Sequence, residues 1–230
     1  MLTYTEEFLL PNLMGPNCIK IAAELARHVQ VLAGWRVMDL GCGTGLTSMF
    51  FADHYKAQVF ATDLWITPTD NYKRFKEFGM ERQVIPIHAD ATALPYADGY
   101  FDAVLSVDSY HYFGSNPHYL QKLAPLVKKR GFIAVVMPGL LKEFPGEVFP
   151  AELQPFWQED MNFHSAEWWK ELWEASGLVE IIEAFDLSCH AEAWADWLKC
   201  DNPYAKHDID MMEAEAGKYF NTVGLVARVR

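Results

Sequence analysis

The sequence predicts an α/β chain built on a doubly wound, mainly parallel sheet with helices on both faces. Three observations predict it. Apolar strand patterns and helical patterns alternate with short connections as far as residue 137. Residues 37–45 read V-M-D-L-G-C-G-T-G, an apolar run entering a glycine turn that opens a helix. The length, 230 residues with 51% apolar side chains, suits a single domain, 1–230, with a sizeable core.

The elements follow in order. Residues 15–33 carry an amphipathic helical pattern through Ile19, Ala22, Ala23, Ala26 and Val29, with Gly34 as a stop. Strands are expected at 35–40, 58–63, 83–88, 101–107 and 131–137, and helices at about 45–55, 70–79 and 116–128. After Pro138 the alternation breaks, and 138–163 reads as an irregular insertion rich in Pro, Phe, Glu and Trp. A helix over 165–176 has Ser165 as N-cap and Gly177 as stop. Strand patterns return at 178–187 and 219–229. A helical insertion, 190–216, lies between them and breaks at Asn202-Pro203.

Composition narrows the function. Nineteen basic against 31 acidic residues give a net charge of −12, which disfavours nucleic acid as a partner and favours a small molecule. No apolar run approaches the roughly 18 residues that span a bilayer, and the acidic start M-L-T-Y-T-E-E-F is no signal peptide, so no membrane partner is expected. Cys18, Cys42, Cys189 and Cys200 are scattered without a C-x-x-C, the pattern of reduced cytoplasmic thiols. Cys189-His190 and Cys200 with His207 match no metal spacing, so no metal is expected.

The glycine turn carries the most information. Asp39 ends the strand, and Gly41, Gly43 and Gly45 follow at alternate positions. A dinucleotide fingerprint, G-x-G-x-x-G, needs its third glycine where Leu46 stands, and no Lys-Ser or Lys-Thr pair makes a P-loop. The pattern acid-x-G-x-G-x-G resembles motif I of the class I S-adenosylmethionine-dependent methyltransferases. The string L-P-Y-A-D-G-Y-F-D-A-V-L-S, 94–106, resembles that family's turn into its fourth strand. By motif the resemblance covers about 35–137.

The resemblance implies a seven-stranded sheet whose antiparallel last strand forms an edge hairpin. It implies S-adenosylmethionine as cofactor and a site for each part of it. Asp63, ending the second strand, would bind the ribose hydroxyls. Asp90 would accept from the adenine amino group, with the Ala91 N–H donating to the ring. Leu64, Trp65 and Ala91 would line the adenine slot. Asp39, Gly41, Cys42, Gly43, Gly45 and Val107 complete the expected cofactor set. Plainer readings stand beside these: Asp63 and Asp90 as caps, and Cys42 as a small packing residue. The turn M-G-P-N, 14–17, either approaches the methionine end, with Tyr4 and Phe8 folded above, or simply starts a helix capped by Asn12 or Asn17.

The fourth strand ends in S-V-D-S-Y-H-Y-F, 106–113, where a doubly wound sheet places its ligands. His111 is the first candidate for a general base. Asp108 would orient it, bind an acceptor ammonium or take the proton, with Tyr110 and Tyr112 walling the acceptor. The plain reading is a core histidine among core tyrosines. N-P-P-Y, D-P-P-Y and the P-C pair of nucleic-acid enzymes are absent. Six of the eight tryptophans follow residue 150, and with Glu152, Glu159 and Asp160 they suggest either a cage for a cationic amine or a helix face packed on the sheet. The expected activity is methyl transfer to a small acceptor, N- or O-methylation favoured. The alternatives are a cofactor-binding protein without transfer and an enzyme using a modified sulfonium. Acceptor and oligomeric state are not legible.

Overall fold

The structure, a computed structural model, describes residues 3–158 and 161–230. Its strands are β1 Arg36–Leu40, β2 Gln58–Asp63, β3 Val84–His88, β4 Phe101–Val107, β5 Val127–Leu140, β6 Val179–Asp186 and β7 Phe220–Val229. They form one seven-stranded sheet of order β3-β2-β1-β4-β5-β7-β6. β1 to β5 pair in parallel, and β7 runs antiparallel between β5 and β6. β1 leads outward to β2 and β3, and β4 leads the other way to β5, so the crevice at the carboxyl ends of β1 and β4 is the topological switch point.

The helices are α1 Glu6–Asn12, α2 Cys18–Leu25, α3 Leu46–Tyr55, α4 Pro68–Glu77, α5 His111–Gly114, α6 Tyr119–Leu123, α7 Ala166–Ala175, α8 His190–Trp197 and α9 Pro203–Glu215. Strand alternation sorts them between two core layers. Val37, Val59, Ala61, Ala103 and Leu105 face the layer built by α2, α3, α8 and α9. Met38, Leu40, Phe60, Val104 and Ile133 face the opposite layer, built by α6 and α7 with Trp169 and Trp173 fully buried. No helix of the described residues is long and apolar enough to cross a membrane.

Ser165 caps α7 by accepting from Trp168 N at 3.3 Å, and Gly177 follows at φ +70°. Asn202 caps α9, whose first residue is Pro203. Three expectations move. The 15–33 pattern forms a helix only over Cys18–Leu25, because Asn17 caps it and Val29 and Val31 alternate with exposed Gln30 instead of continuing the turn. The helix expected at 116–128 shortens to Tyr119–Leu123 and a tight turn over Ala124–Leu126, where Pro125 has no N–H to offer. β5 therefore begins early, and it also runs past Pro138 to Leu140. Its pairing with β4 stops at Val136, so the proline meets no partner strand on that side. α1, capped by Thr5 and containing Pro11, had no distinct signal in the sequence.

Candidate functional site

The switch-point crevice holds a cavity of about 220 Å³. β1 delivers its glycine turn to one wall. Gly41, Gly43 and Gly45 all have positive φ, +72°, +53° and +81°, which only glycine adopts without strain. A Cβ on Gly41 would collide with Ser109 Oγ, and one on Gly45 would stand 2.5 Å from Phe75 Cε1. Asn71 on α4 holds the turn by donating to Gly43 O at 2.9 Å.

Asp39 lies beneath the turn, fully buried. Thr47 and Ser48 at the start of α3 each donate to its Oδ2 at 2.6 Å, while buried Oδ1 has no partner among the described residues. Burial pushes its carboxyl up to about 6, against the two hydroxyl bonds. Asp63 ends β2 with Oδ2 accepting from Gly43 N at 2.8 Å and Oδ1 from Trp65 N and Ile66 N at 2.8 and 2.9 Å. It thus both caps the following turn and ties the glycine loop to β2. Three of its roughly four acceptor positions are filled. Asp90 is exposed and accepts from Thr92 N and Oγ1 at 2.7 and 2.8 Å, which lowers its pKa; it starts a turn and caps no helix.

Gly41, Cys42, Gly43, Asp63, Leu64, Trp65, Asp90, Ala91, Val107 and Asp108 all line the cavity. Asp39 and Gly45 stand behind the wall. Leu64 and Trp65 are exposed at the mouth, 48% and 68%, and the Trp65 ring lies 5.7 Å from that of Tyr112. Burial raises the Cys18 and Cys42 thiols, which makes both packing groups rather than nucleophiles.

Asp108 follows β4 in a left-handed conformation, φ +58°, fixed by its N–H donating to Val136 O at 2.8 Å. Its carboxylate lines the cavity and accepts no hydrogen bond from any described residue. Burial, helped by the charge of Asp208 on α9, pushes it up to about 8. Gly15 presses against it, since a Cβ there would collide with Asp108 Oδ2. Met14, Gly15 and Pro16 all line the cavity, while Asn17 also caps α2. Tyr4 and Phe8 pack on Phe78 and do not line it.

His111 is placed differently from Asp108. It is 3% exposed, lines no wall of this cavity, and its Nδ1 has no partner among the described residues. Burial pulls it down to about 3, so the ring is neutral at pH 7. It packs 4.0 Å from the Tyr112 ring, which does line the cavity, and 5.8 Å from Phe163. Tyr110 is fully buried among Trp169 and Trp173.

Sequence reasoning missed Thr47, Ser48, Asn71 and Ser109, and gave Asn12 only as an alternative helix cap. Thr47 and Ser48 had a signal: hydroxyls in the first turn after a glycine loop point back at the strand's terminal acid. Among the described residues no group of three His, Cys, Asp or Glu could hold a metal.

Comparison with known proteins agrees with this geometry. Residues 38–135 match the model of a family described as a methyltransferase domain. Methyltransferase GfsG of Streptomyces halstedii is 26% identical over 117 residues, 50% of this chain and 42% of its own. The chain thus spans under half the length of that relative. Phosphoethanolamine N-methyltransferase 2 of Haemonchus contortus, solved with S-adenosyl-L-methionine, superposes with a TM-score of 0.76 at 17% identity, covering 98% of this chain and 57% of that one. The [4+2]-cyclase SpnF superposes at 0.72 with 19% identity, covering 93% and 81%. The structural likenesses establish the fold. Residues 38–135, which hold the glycine turn, Asp63, Asp90 and Asp108, match a methyltransferase domain in sequence, and the sheet order is that of the class I methyltransferase fold.

Proposed function

We propose that this chain transfers a methyl group from S-adenosylmethionine to a nitrogen or oxygen of a small molecule. The observation that carries the reading is Asp108: a carboxylate in the cavity wall with no hydrogen-bond donor among the described residues, raised to about 8, beside the loop that would hold the donor. The residues present suit that donor. The glycine turn leaves room for close backbone approach, and buried Asp39 Oδ1 lacks a partner among the described residues. Asp63 has one acceptor position left and lies between the loop and the adenine-side pair Asp90 and Ala91. When bound, the donor supplies an electrophilic methyl group on sulfur.

The chain's own work is to align the acceptor, exclude water and receive a proton. Alignment alone contributes on the order of 7–11 kcal/mol. With a pKa near 8 Asp108 is mostly protonated at pH 7, and the ionised fraction, about one tenth, is a stronger base than an ordinary carboxylate. We assign the proton to Asp108 ahead of His111, which is neutral, buried and outside the cavity, and which positions the Tyr112 ring. Gly15, Met14 and Pro16 close the cavity from the N-terminal side. Residues 138–163 and 190–216 belong, in this reading, to one domain, 1–230, as acceptor-side additions. The net charge of −12 and the four free thiols fit a small-molecule enzyme of a reducing compartment such as the cytoplasm.

Calorimetry with S-adenosylhomocysteine tests the donor site. Binding by the wild type that Asp63→Ala with Asp90→Ala abolishes is expected; no wild-type binding would sink the proposal. Asp108→Asn is expected to lower kcat about 10²–10⁴-fold while S-adenosylhomocysteine still binds. A second reading is that the chain holds the cofactor without transferring methyl; the same fold is shared by a protein described as a [4+2]-cyclase, so the fold alone does not require transfer. Intact binding with no turnover over amines, alcohols and phenols would favour it.

A further inference from the structure

A second opening, about 620 Å³, lies under the 138–163 segment, and nothing above gives it a role. Its walls include Phe144, Phe149, Trp157, Phe163 and Trp168, with Glu143 as the acid among them. Among the described residues no Lys or Arg lines it. The rings do not form one flat slot. Phe144 stands at 74° to Phe149, 5.3 Å away, and at 76° to Trp157, 6.4 Å away; Trp157 stands at 82° to Phe163, 6.1 Å away. Phe149 and Trp157 lie against each other, 3.8 Å apart at 30°. The steep inclinations are therefore those of Phe144 to both and of Phe163 to Trp157. Rings so inclined present π faces in more than one direction, which suits a compact, roughly spherical cation better than a planar guest.

Glu143 supplies the charge. Its Oε1 accepts from Ser165 N at 2.5 Å and its Oε2 lies 3.1 Å from His164 Nδ1, which fixes the carboxylate at the edge of the opening. Those bonds outweigh burial and keep its pKa below the ordinary range, so it is ionised at neutral pH. Of the acids that the sequence paired with these tryptophans, Glu152 instead binds Tyr219, while Glu159 and Asp160 lie outside the described residues.

One buried ring stands between a wall of this opening and a wall of the donor cavity. The His111 ring touches Tyr112, a wall of the first, and Phe163, a wall of the second. We infer that this second cavity anchors the acceptor by an alkylammonium group, held by the inclined aromatic rings and Glu143, while a separate nitrogen or oxygen of the same molecule reaches Asp108. That the bound molecule is the methyl acceptor rests on the function proposed above; that the cavity takes an ammonium does not.

Calorimetry with choline and its neutral isostere 3,3-dimethylbutan-1-ol tests the inference on the cofactor-free protein. Choline is expected to bind about tenfold more tightly than the isostere, and Trp157→Leu to weaken choline at least several-fold with its melting curve still cooperative. If Trp157→Leu does not fold, Phe149→Leu, on the same wall, makes the comparison. Equal affinity for the two probes, no saturable choline binding, or unchanged choline affinity in the folded variant overturns it. Choline binding without any S-adenosylhomocysteine binding would keep the ammonium site and sink methyl transfer.

Discussion

Asp108 concentrates the electrostatics of the site in one side chain. Its folded pKa, about 8, lies above the 3.8 of an unperturbed aspartate because burial penalises the charged form. Below 3.8 the carboxyl is neutral in both states and costs nothing. As the pH rises from 3.8 toward 8, the unfolded chain ionises first, and folding stability is progressively lost. Asp108→Asn removes this loss. The melting temperature of the variant minus that of the wild type is therefore expected to grow from pH 4 to pH 8 and then level, which differential scanning calorimetry at stepped pH measures. A constant difference would mean that the carboxylate is solvated in the folded state. His111 works in the opposite window: its pKa falls from 6.5 to about 3, so its contribution is full above 6.5 and is lost on acidification toward 3. The sequence showed Asp39, Asp63 and Asp108 as strand-end acids, since strand ends follow from the apolar pattern. It did not show that the His111 ring turns away from the cavity, because that depends on the four-residue helix α5, too short to leave a periodic signal.

At the scale of elements, the glycine turn is the tightest joint in the fold. Gly45 combines φ +81° with Phe75 at its Cβ position and also opens α3 as its N-cap. Gly45→Ala is expected to cost about 1–3 kcal/mol in urea unfolding and to weaken S-adenosylhomocysteine binding. Gly99→Ala, at φ +60° in open space, controls for backbone strain alone. Most strands were legible to within a residue, because buried parallel strands read as uninterrupted apolar runs bounded by turns. The errors have local causes. Pro125 ends the helix expected over 116–128 at Leu123 and turns the chain tightly through Leu126. β5 extended beyond its apolar run because β7 pairs with it from Phe132 to Leu140, a long-range contact that no window of sequence contains.

Across the whole molecule, the two core layers leave a cleft at the switch point, lined by residues between Asn12 and Phe113, while segments after residue 137 wall the second opening. Their aromatic content was visible in the sequence, but not the division of labour: Trp169 and Trp173 fill the core, while Trp157 and Trp168 line the second opening. Residues 12–17 connect these parts. Asn12 O accepts from Thr44 Oγ1 at 2.6 Å on the donor loop, Met14 lies over Gly43, and Gly15 covers Asp108. Asn17 donates to Asp196 of α8 at 2.8 Å. In the function proposed above, a strap bonded to the glycine loop and to α8, and lying against Asp108, predicts ordered loading with the donor first. Initial-rate kinetics are expected to show S-adenosylhomocysteine competing with the donor alone and a dead-end acceptor analogue inhibiting uncompetitively against the donor. The same six residues would then work as a turnstile, admitting one reactant only after the other has passed.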